Sequence, residues 1–387
     1  MSRRTGRGEG GVIGGRAILA LVPDAARVLA ADRDVVLVSG TNGKTTTSAM
    51  LAAAWRTLGP VTTNDNGANI PAGITTALAD DDAGRVVLET DEAWVPWTVS
   101  MTAPRMAVLL NLSRDQLDRH HEVEKLSRVW RPAVIDLDVV VANADDPHVV
   151  WAAQAARRQI WVAAGQRWNQ DAVVCPRCGG RCTYAETGWS CTCGLQRPRP
   201  DWWVEGEELV SRSGQRVRSK LALPGAANLS NAAMAVAAAT ELGVEPQAAA
   251  DSMTDITTVA GRYAVFERDG RRARLLLAKN PAGWLEMLSM IQDSPGPAAI
   301  VFNSEGVDGL DPSWLYDVPF EQLRGRQVVV TGRRATDMLV RLRFARVDGA
   351  QAYPKLTEAL AALPEGPVDV LANYSAFQQA RAELSHG

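Results

Sequence analysis

A glycine-rich segment near the start of the chain has the residue types and order of a phosphate-binding loop. It follows the apolar run 35–38, precedes a predicted helix from 46 to 58, and comprises Gly40, Thr41, Asn42, Gly43, Lys44, Thr45 and Thr46. In such loops backbone amides and a helix N-terminus attract phosphate, the lysine neutralises phosphate oxygens, and a threonine hydroxyl binds Mg²⁺. The full P-loop pattern also has glycine at position 38, where this chain has Val38. The segment predicts a nucleotide site with Lys44 on the phosphates and Thr45 on the metal; a glycine-rich turn capping a helix is the alternative.

Carboxylates follow a second apolar run and are candidates for binding magnesium. The run 86–88 is followed by Glu89, Asp91 and Glu92. Ligands bind at the carboxyl ends of strands in open α/β sheets. Because Mg²⁺ takes oxygen ligands and keeps several waters, one or two carboxylates suffice. Glu89 is the first choice as magnesium ligand, and Asp91 and Glu92 are less favoured candidates. The alternative is that all three are solvated loop charges.

The five cysteines of the chain all lie between residues 175 and 193, which is typical of a metal site and not of a secreted disulfide scaffold. The predicted zinc ligands are a C-x-x-C pair and a C-x-C pair, Cys175, Cys178, Cys191 and Cys193. Cys182 is a spare thiol, so the choice of four stays open. A four-thiolate zinc is coordinatively closed and would fold an insertion that lacks its own core. Nucleic-acid binding is the alternative, because nearby residues include Trp189, Arg197, Arg199, Trp202 and Trp203.

The elements that position these residues follow an α/β order. A helix is predicted over 13–31, and strand-like runs occur at 35–38, 86–88, 106–110, 139–142 and 160–163. Helical segments separate most of these runs, so a parallel sheet covered on both faces is expected. Residues 170–205 interrupt this order and are interpreted as an inserted module. A second series has strand candidates at 274–277, 298–302, 327–330 and 368–371.

The predicted organisation is an N-terminal tail and helix (1–34), a central nucleotide-binding domain (35–259) that contains the insertion at about 170–205, and a smaller α/β domain (260–387). The composition is that of a soluble globular protein, with 46% apolar and 22% charged residues. The net charge of −3 argues against a nucleic-acid-binding surface over the whole chain. The longest charge-free run, 221–240, is too polar to span a membrane, and the N-terminus lacks the apolar region of a signal peptide. A cytoplasmic location is therefore expected.

Several segments together resemble the Mur ligases, ATP-dependent enzymes that join amino groups to carboxylates. They are residues 39–46, 111–120 and 143–147, the Pro224-Gly225 helix start with Asn228 and Asn231, and the Gly261-Arg262 linker. The resemblance covers about residues 35–380. It implies a Mur-ligase-like α/β fold, in which a central P-loop domain with a parallel sheet and an inserted zinc ribbon precedes a smaller α/β C-terminal domain. It also implies that ATP and Mg²⁺ activate a carboxylate as an acyl phosphate.

The same resemblance places Asn111, Asn231 and Arg262 near the nucleotide. The two asparagines are alternatively structural residues at strand and helix ends. Lys279 and Asn280 are candidates for contacts with ATP or substrate, or they form a plain surface turn.

Within the family, the chain resembles the MurT group, whose ligase subunits work with a glutaminase of the GatD type. The similarity rests on the zinc ribbon, the loop 67–69, Gln116 in place of a metal-binding histidine, and the segments 277–283, 311–317 and 332–338. It implies a heterodimer that amidates the D-glutamate carboxylate of a lipid-linked peptidoglycan precursor to D-isoglutamine. That precursor implies work at the inner face of the membrane.

The cysteine distribution independently points to a partner. Glutaminases release ammonia with a Cys–His pair, whereas every cysteine here lies in the predicted zinc module. Ammonia must therefore come from another subunit or from solution. The resemblance implies that Asp311 orients the histidine of the partner's catalytic pair, with Asp317 and Asp308 as less favoured candidates. Because Asp311 precedes Pro312, it alternatively caps a helix.

Two other functions stay open at this point. The first is an amino-acid-adding ligase of the Mur or folylpolyglutamate type, which Gln116 disfavours because such enzymes use a histidine there. The second is a non-enzymatic nucleotide switch that carries a zinc ribbon.

Overall fold

The structure is a computed structural model that describes residues 12–64, 68–114, 123–256, 263–292, 296–305 and 309–385. These residues divide into two compact units. The described residues of Met1–Ser113 and Glu122–Ala260 form the first unit, and those of Arg114–His121 and Gly261–Gly387 form the second. Within the described ranges, no helix has the length and apolar character needed to cross a lipid bilayer.

The first unit is built on a nine-stranded sheet. Its strands are β1 (Asp34–Ser39), β2 (Val61–Thr63), β3 (Arg85–Thr90), β4 (Met106–Leu109), β5 (Val139–Asn143), β6 (Arg158–Ala163), β9 (Trp202–Glu205), β10 (Glu208–Ser211) and β11 (Arg216–Arg218). Their order is β11-β10-β9-β6-β5-β4-β1-β3-β2. The strands from β2 to β9 in this order pair in parallel, and β10 and β11 add an antiparallel edge.

Helices cover both faces of this sheet. They are α1 (Ile13–Leu21), α2 (Ala25–Ala30), α3 (Lys44–Arg56), α4 (Pro71–Asp80), α5 (Val95–Thr102), α6 (Val123–Ala133), α7 (Pro147–Ala153), α8 (Ala226–Glu241) and α9 (Pro246–Asp251). Successive residues of a strand point to opposite faces. Accordingly, Val36 and Val38 pack with Met50 of α3, whereas Leu37 packs with Trp130 of α6. The predicted parallel sheet covered on both faces is confirmed.

The predicted helix over 13–31 is wrong in one respect, because the structure has two helices there. Residues 22–24 separate α1 from α2, and Pro23 lies in this interruption. Proline lacks the backbone N–H that a helix interior requires, and its ring clashes with the preceding turn. The apolar spacing alone therefore overestimated the length of the helix.

The cysteine-rich insertion is a small substructure on the first unit. It contains a 3₁₀ turn at Gln170–Ala172 and a two-stranded antiparallel sheet of β7 (Cys182–Ala185) and β8 (Gly188–Cys191). The predicted range 170–205 runs too far, because β9 pairs in parallel with β6 and belongs to the main sheet. Trp202 and Trp203 are therefore strand residues of the main sheet and not part of the insertion.

The second unit has a six-stranded sheet. Its strands are β12 (Tyr263–Arg268), β13 (Arg271–Leu277), β14 (Ala298–Val301), β15 (Val328–Thr331), β16 (Gln351–Ala352) and β17 (Gly366–Ala372), in the order β12-β13-β17-β14-β15-β16. Its helices are α10 (Pro281–Gln292), α11 (Ala335–Phe344), α12 (Leu356–Ala361) and α13 (Tyr374–Ser385), with 3₁₀ turns at Ser313–Asp317 and Phe320–Leu323. Apolar clusters cover both faces. The four predicted strands correspond to β13, β14, β15 and β17, whereas β12 and β16 were not predicted.

Candidate nucleotide site and cysteine cluster

The glycine-rich loop lies between the end of β1 and the first residue of α3, Lys44. Gly43 is the N-cap residue of α3 and has a φ of 86°, in the left-handed region that favours glycine. A Cβ atom placed on Gly43 would lie 2.4 Å from Oδ1 of Asn231 in α8. Glycine at this position therefore lets Asn231 approach the loop. In the first turn of α3, Thr45 is half-buried and Thr46 is buried.

The segment 111–113, which follows β4, holds the loop by a set of reciprocal hydrogen bonds. The amide of Thr41 donates to the carbonyl of Asn111 (2.9 Å), and the amide of Ser113 donates to the Thr41 hydroxyl (3.0 Å). The Asn111 side chain accepts from the Asn42 amide (2.9 Å) and donates to the Asn42 carbonyl (3.0 Å). The structure therefore brings Asn111 against the loop, where its amide bonds to the loop backbone.

The side chain of Lys44 folds back over the loop. Its ammonium donates to the carbonyl oxygens of Gly40 (2.6 Å) and Thr41 (3.2 Å) and lies 2.9 Å from Oε2 of Glu92. Both side chains of this ion pair are only 9% exposed. Glu92 is thus the buried counter-charge of Lys44. The neighbouring Asp91 accepts from the amide of Ala93 (3.0 Å) and caps the 3₁₀ turn Glu92–Trp94.

Glu89 lies on β3 next to the strand that leads into the loop. In the parallel register it is opposite Val38, and it is 3% exposed. Its Oε1 accepts from the Asn69 side chain (3.0 Å). Asn64, which follows β2, accepts from the Glu89 amide and donates to the Glu89 carbonyl, both at 2.8 Å. Asn64 was not among the predicted site residues, because the three-residue strand β2 that precedes it was not predicted.

The four predicted zinc ligands lie together in the insertion. Their Sγ atoms are within 4.8 Å of one another, with 3.7 Å between Cys175 and Cys193 and 3.6 Å between Cys178 and Cys191. Four thiolates at Zn–S bonds of about 2.3 Å are separated by nearly the same distances, so the cluster fits a tetrahedral zinc ion. Cys182 lies outside this group, on β7 opposite Cys191 of β8.

The environments of the thiols differ. A backbone hydrogen bond from Cys193 lowers the pKa of the Cys191 thiol to about 7. Burial raises the pKa of Cys182 to about 11, and it also raises the pKa of Cys175. Metal binding requires the thiolate. Backbone hydrogen bonding therefore favours the thiolate of Cys191 near neutral pH, whereas burial favours the protonated form of Cys182.

Asp311 lies in the second unit and is exposed. Its carboxylate accepts from the amide of Ser313 (2.8 Å) and from the hydroxyl of the same residue (2.9 Å). These bonds fix the carboxylate beside the 3₁₀ turn Ser313–Asp317, whose N-cap residue is Pro312, so Asp311 is not the helix N-cap that was the alternative for it. Next to it in the chain is Leu310, an exposed apolar side chain. An exposed carboxylate fixed at two oxygens keeps its outer lone pairs accessible to a second protein.

The remaining candidates divide into two groups. Gly67, Gln116, Arg262 and Asp308 lie outside the described residues. In the second unit, the ammonium of Lys279 lies 5.0 Å from the centre of the Tyr374 ring. Asn280 is buried and accepts from the amide of Gly283 (2.9 Å) in the first turn of α10. The side-chain oxygen of Asn280 therefore has a local structural role.

Two protein-family models match the chain. The model of the Mur ligase middle domain matches residues 38–239, and the model of the MurT ligase C-terminal region matches residues 277–377. The first match contains the phosphate loop, Glu89, the cysteine cluster and Asn231, and the second contains Asp311.

Proteins with curated functions are similar over most of the chain. The MurT subunit of lipid II isoglutaminyl synthase (glutamine-hydrolyzing) from Staphylococcus aureus strain COL is 30% identical over 343 residues, which is 81% of this chain and 78% of that protein. The subunit of the same name from Streptococcus pneumoniae strain R6 is 29% identical over 392 residues, 91% of this chain and 85% of that protein. Among solved structures, MurF from Acinetobacter baumannii superposes with a TM-score of 0.71 at 18% identity and covers 96% of this chain and 81% of that chain.

Proposed function

The chain belongs to the Mur ligase family, within its MurT ligase subunits, and is an ATP-dependent ligase; from this premise we propose that it amidates the D-glutamate carboxylate of a lipid-linked peptidoglycan precursor. The product is D-isoglutamine, and the reaction takes place at the inner face of the membrane. Family membership favours a ligase over the non-enzymatic nucleotide switch.

The observation that carries this proposal is the loop 40–46 with Lys44 folded over it and Glu89 on the adjacent strand. In the proposed reaction a carboxylate oxygen of the substrate attacks the γ-phosphorus of ATP, the bond to ADP breaks, and an acyl phosphate forms. The loop amides and Lys44 neutralise the charge on the phosphate oxygens. Thr45 and Glu89 would hold the Mg²⁺, which supplies further positive charge to the transferred group.

The second half of the reaction needs ammonia. Its nitrogen attacks the acyl carbon, phosphate leaves, and the nitrogen loses a proton to give the amide. Because all five cysteines lie between residues 175 and 193, we infer that a separate glutaminase of the GatD type supplies the ammonia. We propose that Asp311 completes the Cys–His pair of that partner, since it is exposed and its orientation is fixed by Ser313.

Zinc has a structural role in this proposal. Cys175, Cys178, Cys191 and Cys193 would bind it as thiolates, and such a closed site leaves no position for substrate. The ion replaces the apolar core that so short an insertion cannot form.

The test uses the full chain with its glutaminase, ATP, glutamine and the lipid-linked precursor. Wild-type protein is expected to convert the precursor to its amide, identified by mass spectrometry, with ADP release. Lys44→Ala should abolish both, whereas Lys125→Ala, which changes an exposed lysine of α6, should change neither. Addition of an amino acid in place of an amide would establish the alternative ligase activity. Unchanged amide formation by Lys44→Ala would exclude the proposed site.

A further inference from the structure

The cysteine module is tied to the body of the first unit by two side chains. Nε of Arg197 lies 2.6 Å from Oδ1 of Asp145, in an ion pair whose side chains are 24% and 14% exposed. The indole N–H of Trp189 donates to the carbonyl of Ala144 (3.0 Å), and this tryptophan is buried. The amide of Arg197 in turn donates to the Trp189 carbonyl (2.9 Å). Arg197 and Trp189 of the module therefore bind the turn that follows β5.

The side chain of Arg197 is set by the hairpin that the cysteines hold together. Its Cδ lies 2.5 Å from where a Cβ on Gly188 would be, so its aliphatic part lies directly on the backbone of β8. Its guanidinium also donates to the carbonyl of Thr187 (3.3 Å). Because β8 ends at Cys191, the position of Arg197 depends on the order of the cysteine cluster.

The turn after β5 connects the module to the buried interior of the first unit. Oδ2 of Asp145 accepts from the amide of Gly165 (2.7 Å) while Oδ1 faces Arg197. The next residue, Asp146, is completely buried and caps α7 by accepting from the amide of His148 (2.9 Å). Its second oxygen accepts from the amide of Leu112 (2.8 Å). Because one oxygen of this buried carboxylate accepts from α7 and the other from Leu112, Asp146 fixes the distance between α7 and the segment 111–113.

Leu112 is the middle residue of the segment that holds the phosphate loop. On one side of it, Asn111 bonds to both backbone groups of Asn42, and on the other, Ser113 bonds to Thr41. Phosphate binding requires the loop amides to point at the anion before it arrives. A path of hydrogen bonds, joined by the peptide links Asp145–Asp146 and 111–113, thus runs from the module to the loop.

We propose that the cysteine module positions the phosphate loop through this path, with Arg197 and Asp146 as positioning residues of the nucleotide site. This coupling presupposes the nucleotide function proposed above. It gives the module a second role besides its own folding, because an ordered cluster holds Arg197, the turn 144–146 and the segment 111–113 in the arrangement that the loop needs. Neither residue belongs to the loop 40–46.

The first experiment measures the Kd of MgADP by calorimetry on the full chain at full zinc content. Arg197→Ala is expected to raise the Kd by about fivefold or more, at the lower end of couplings between sites. Arg181→Ala removes an exposed arginine of the same module and should leave the Kd unchanged. Zinc content and circular dichroism of both variants should match the wild type. An unchanged Kd for Arg197→Ala overturns the proposal.

The second variant is Asp146→Asn, which keeps the size of the side chain but turns one acceptor toward Leu112 or His148 into a donor. Asp138→Asn, an exposed change before the start of β5, is its control. A positioning role raises the KM for ATP while kcat changes little, whereas general loss of fold lowers kcat and leaves the KM in place. A lower kcat with an unchanged KM for ATP counts against the proposal. If wild-type protein itself does not bind MgADP, the proposed function fails instead.

Discussion

At the scale of single residues, the phosphate loop depends on a charge balance between two buried side chains. The ammonium of Lys44 and the carboxylate of Glu92 lie 2.9 Å apart, and little of either is exposed. Removing one partner of a buried pair leaves the other charge uncompensated. A bound nucleotide brings negative charge to the same lysine, so it offsets the loss of Glu92.

Glu92→Gln is therefore expected to lower the free energy of unfolding of the nucleotide-free protein by about 3 kcal/mol. The variant should also gain more stability from MgADP than the wild type does. Urea unfolding with and without saturating MgADP measures both effects. Glu207→Gln, at an exposed position, is the control. Equal stability of the two variants without nucleotide would contradict the role of Glu92.

The loop could be predicted from sequence because its determinants are adjacent. Gly40, Gly43 and Lys44 stand together, and the preceding strand and following helix are visible beside them. The pairing of Lys44 with Glu92 spans 48 residues, and that of Arg197 with Asp145 spans 52. Such partners depend on the register of the sheet and on side-chain directions, which sequence spacing does not determine.

At the scale of elements, the inserted module has few apolar residues with which to fold. Its cluster consists largely of the cysteines with Trp189 and Leu195, against Val150 of α7. The proposed zinc ion would therefore supply most of the restraint on the hairpin β7–β8.

Replacing single cysteines tests which thiols bind. Cys193→Ser is expected to lose zinc and to expose the module to proteolysis, because serine replaces a thiolate ligand. Cys182→Ser should keep one zinc per chain, since Cys182 lies outside the group of four. Metal analysis of the purified variants, with limited proteolysis, measures both. Loss of zinc by Cys182→Ser with retention by Cys193→Ser would contradict the assignment.

Elements with continuous apolar runs could be predicted, and edge elements could not. β1, β4 and β5 are buried along nearly their whole length, and their sequences are apolar apart from Asp34, Ser39 and Asn143 at the strand ends. β12 is the edge strand of the second sheet and carries the charged residues Glu267 and Arg268, so its sequence is not apolar along its whole length. β16 has only two residues. Edge strands face water on one side and need fewer apolar residues.

At the scale of the whole molecule, the groups that the proposed reaction requires divide between this chain and a partner. The phosphate loop and the cysteines lie in the first unit, and Asp311 lies in the second. No cysteine of the sequence lies outside 175–193. In the proposed complex the partner would provide the thiol and the imidazole, and this chain the carboxylate.

Asp311→Asn separates the two halves of the reaction. With glutamine as nitrogen source, amide formation is expected to fall on the order of 10²-fold or more, because the histidine of the triad loses its carboxylate. With ammonium salt the rate should match the wild type. Asp348→Asn, an exposed change in the same unit, should affect neither rate. An equal loss with both nitrogen sources would place Asp311 in the ligase reaction instead.

The parallel pairing of β6 with β9 has a consequence for the physiology of the protein. Two neighbouring strands with the same direction need a long return connection, which in most α/β proteins is a helix with its own hydrogen bonds. Here the return passes through four clustered thiols. With the proposed zinc site and the proposed amidation, loss of zinc or oxidation of the thiols is expected to disorder this connection, and the reaction would then respond to metal supply and redox state.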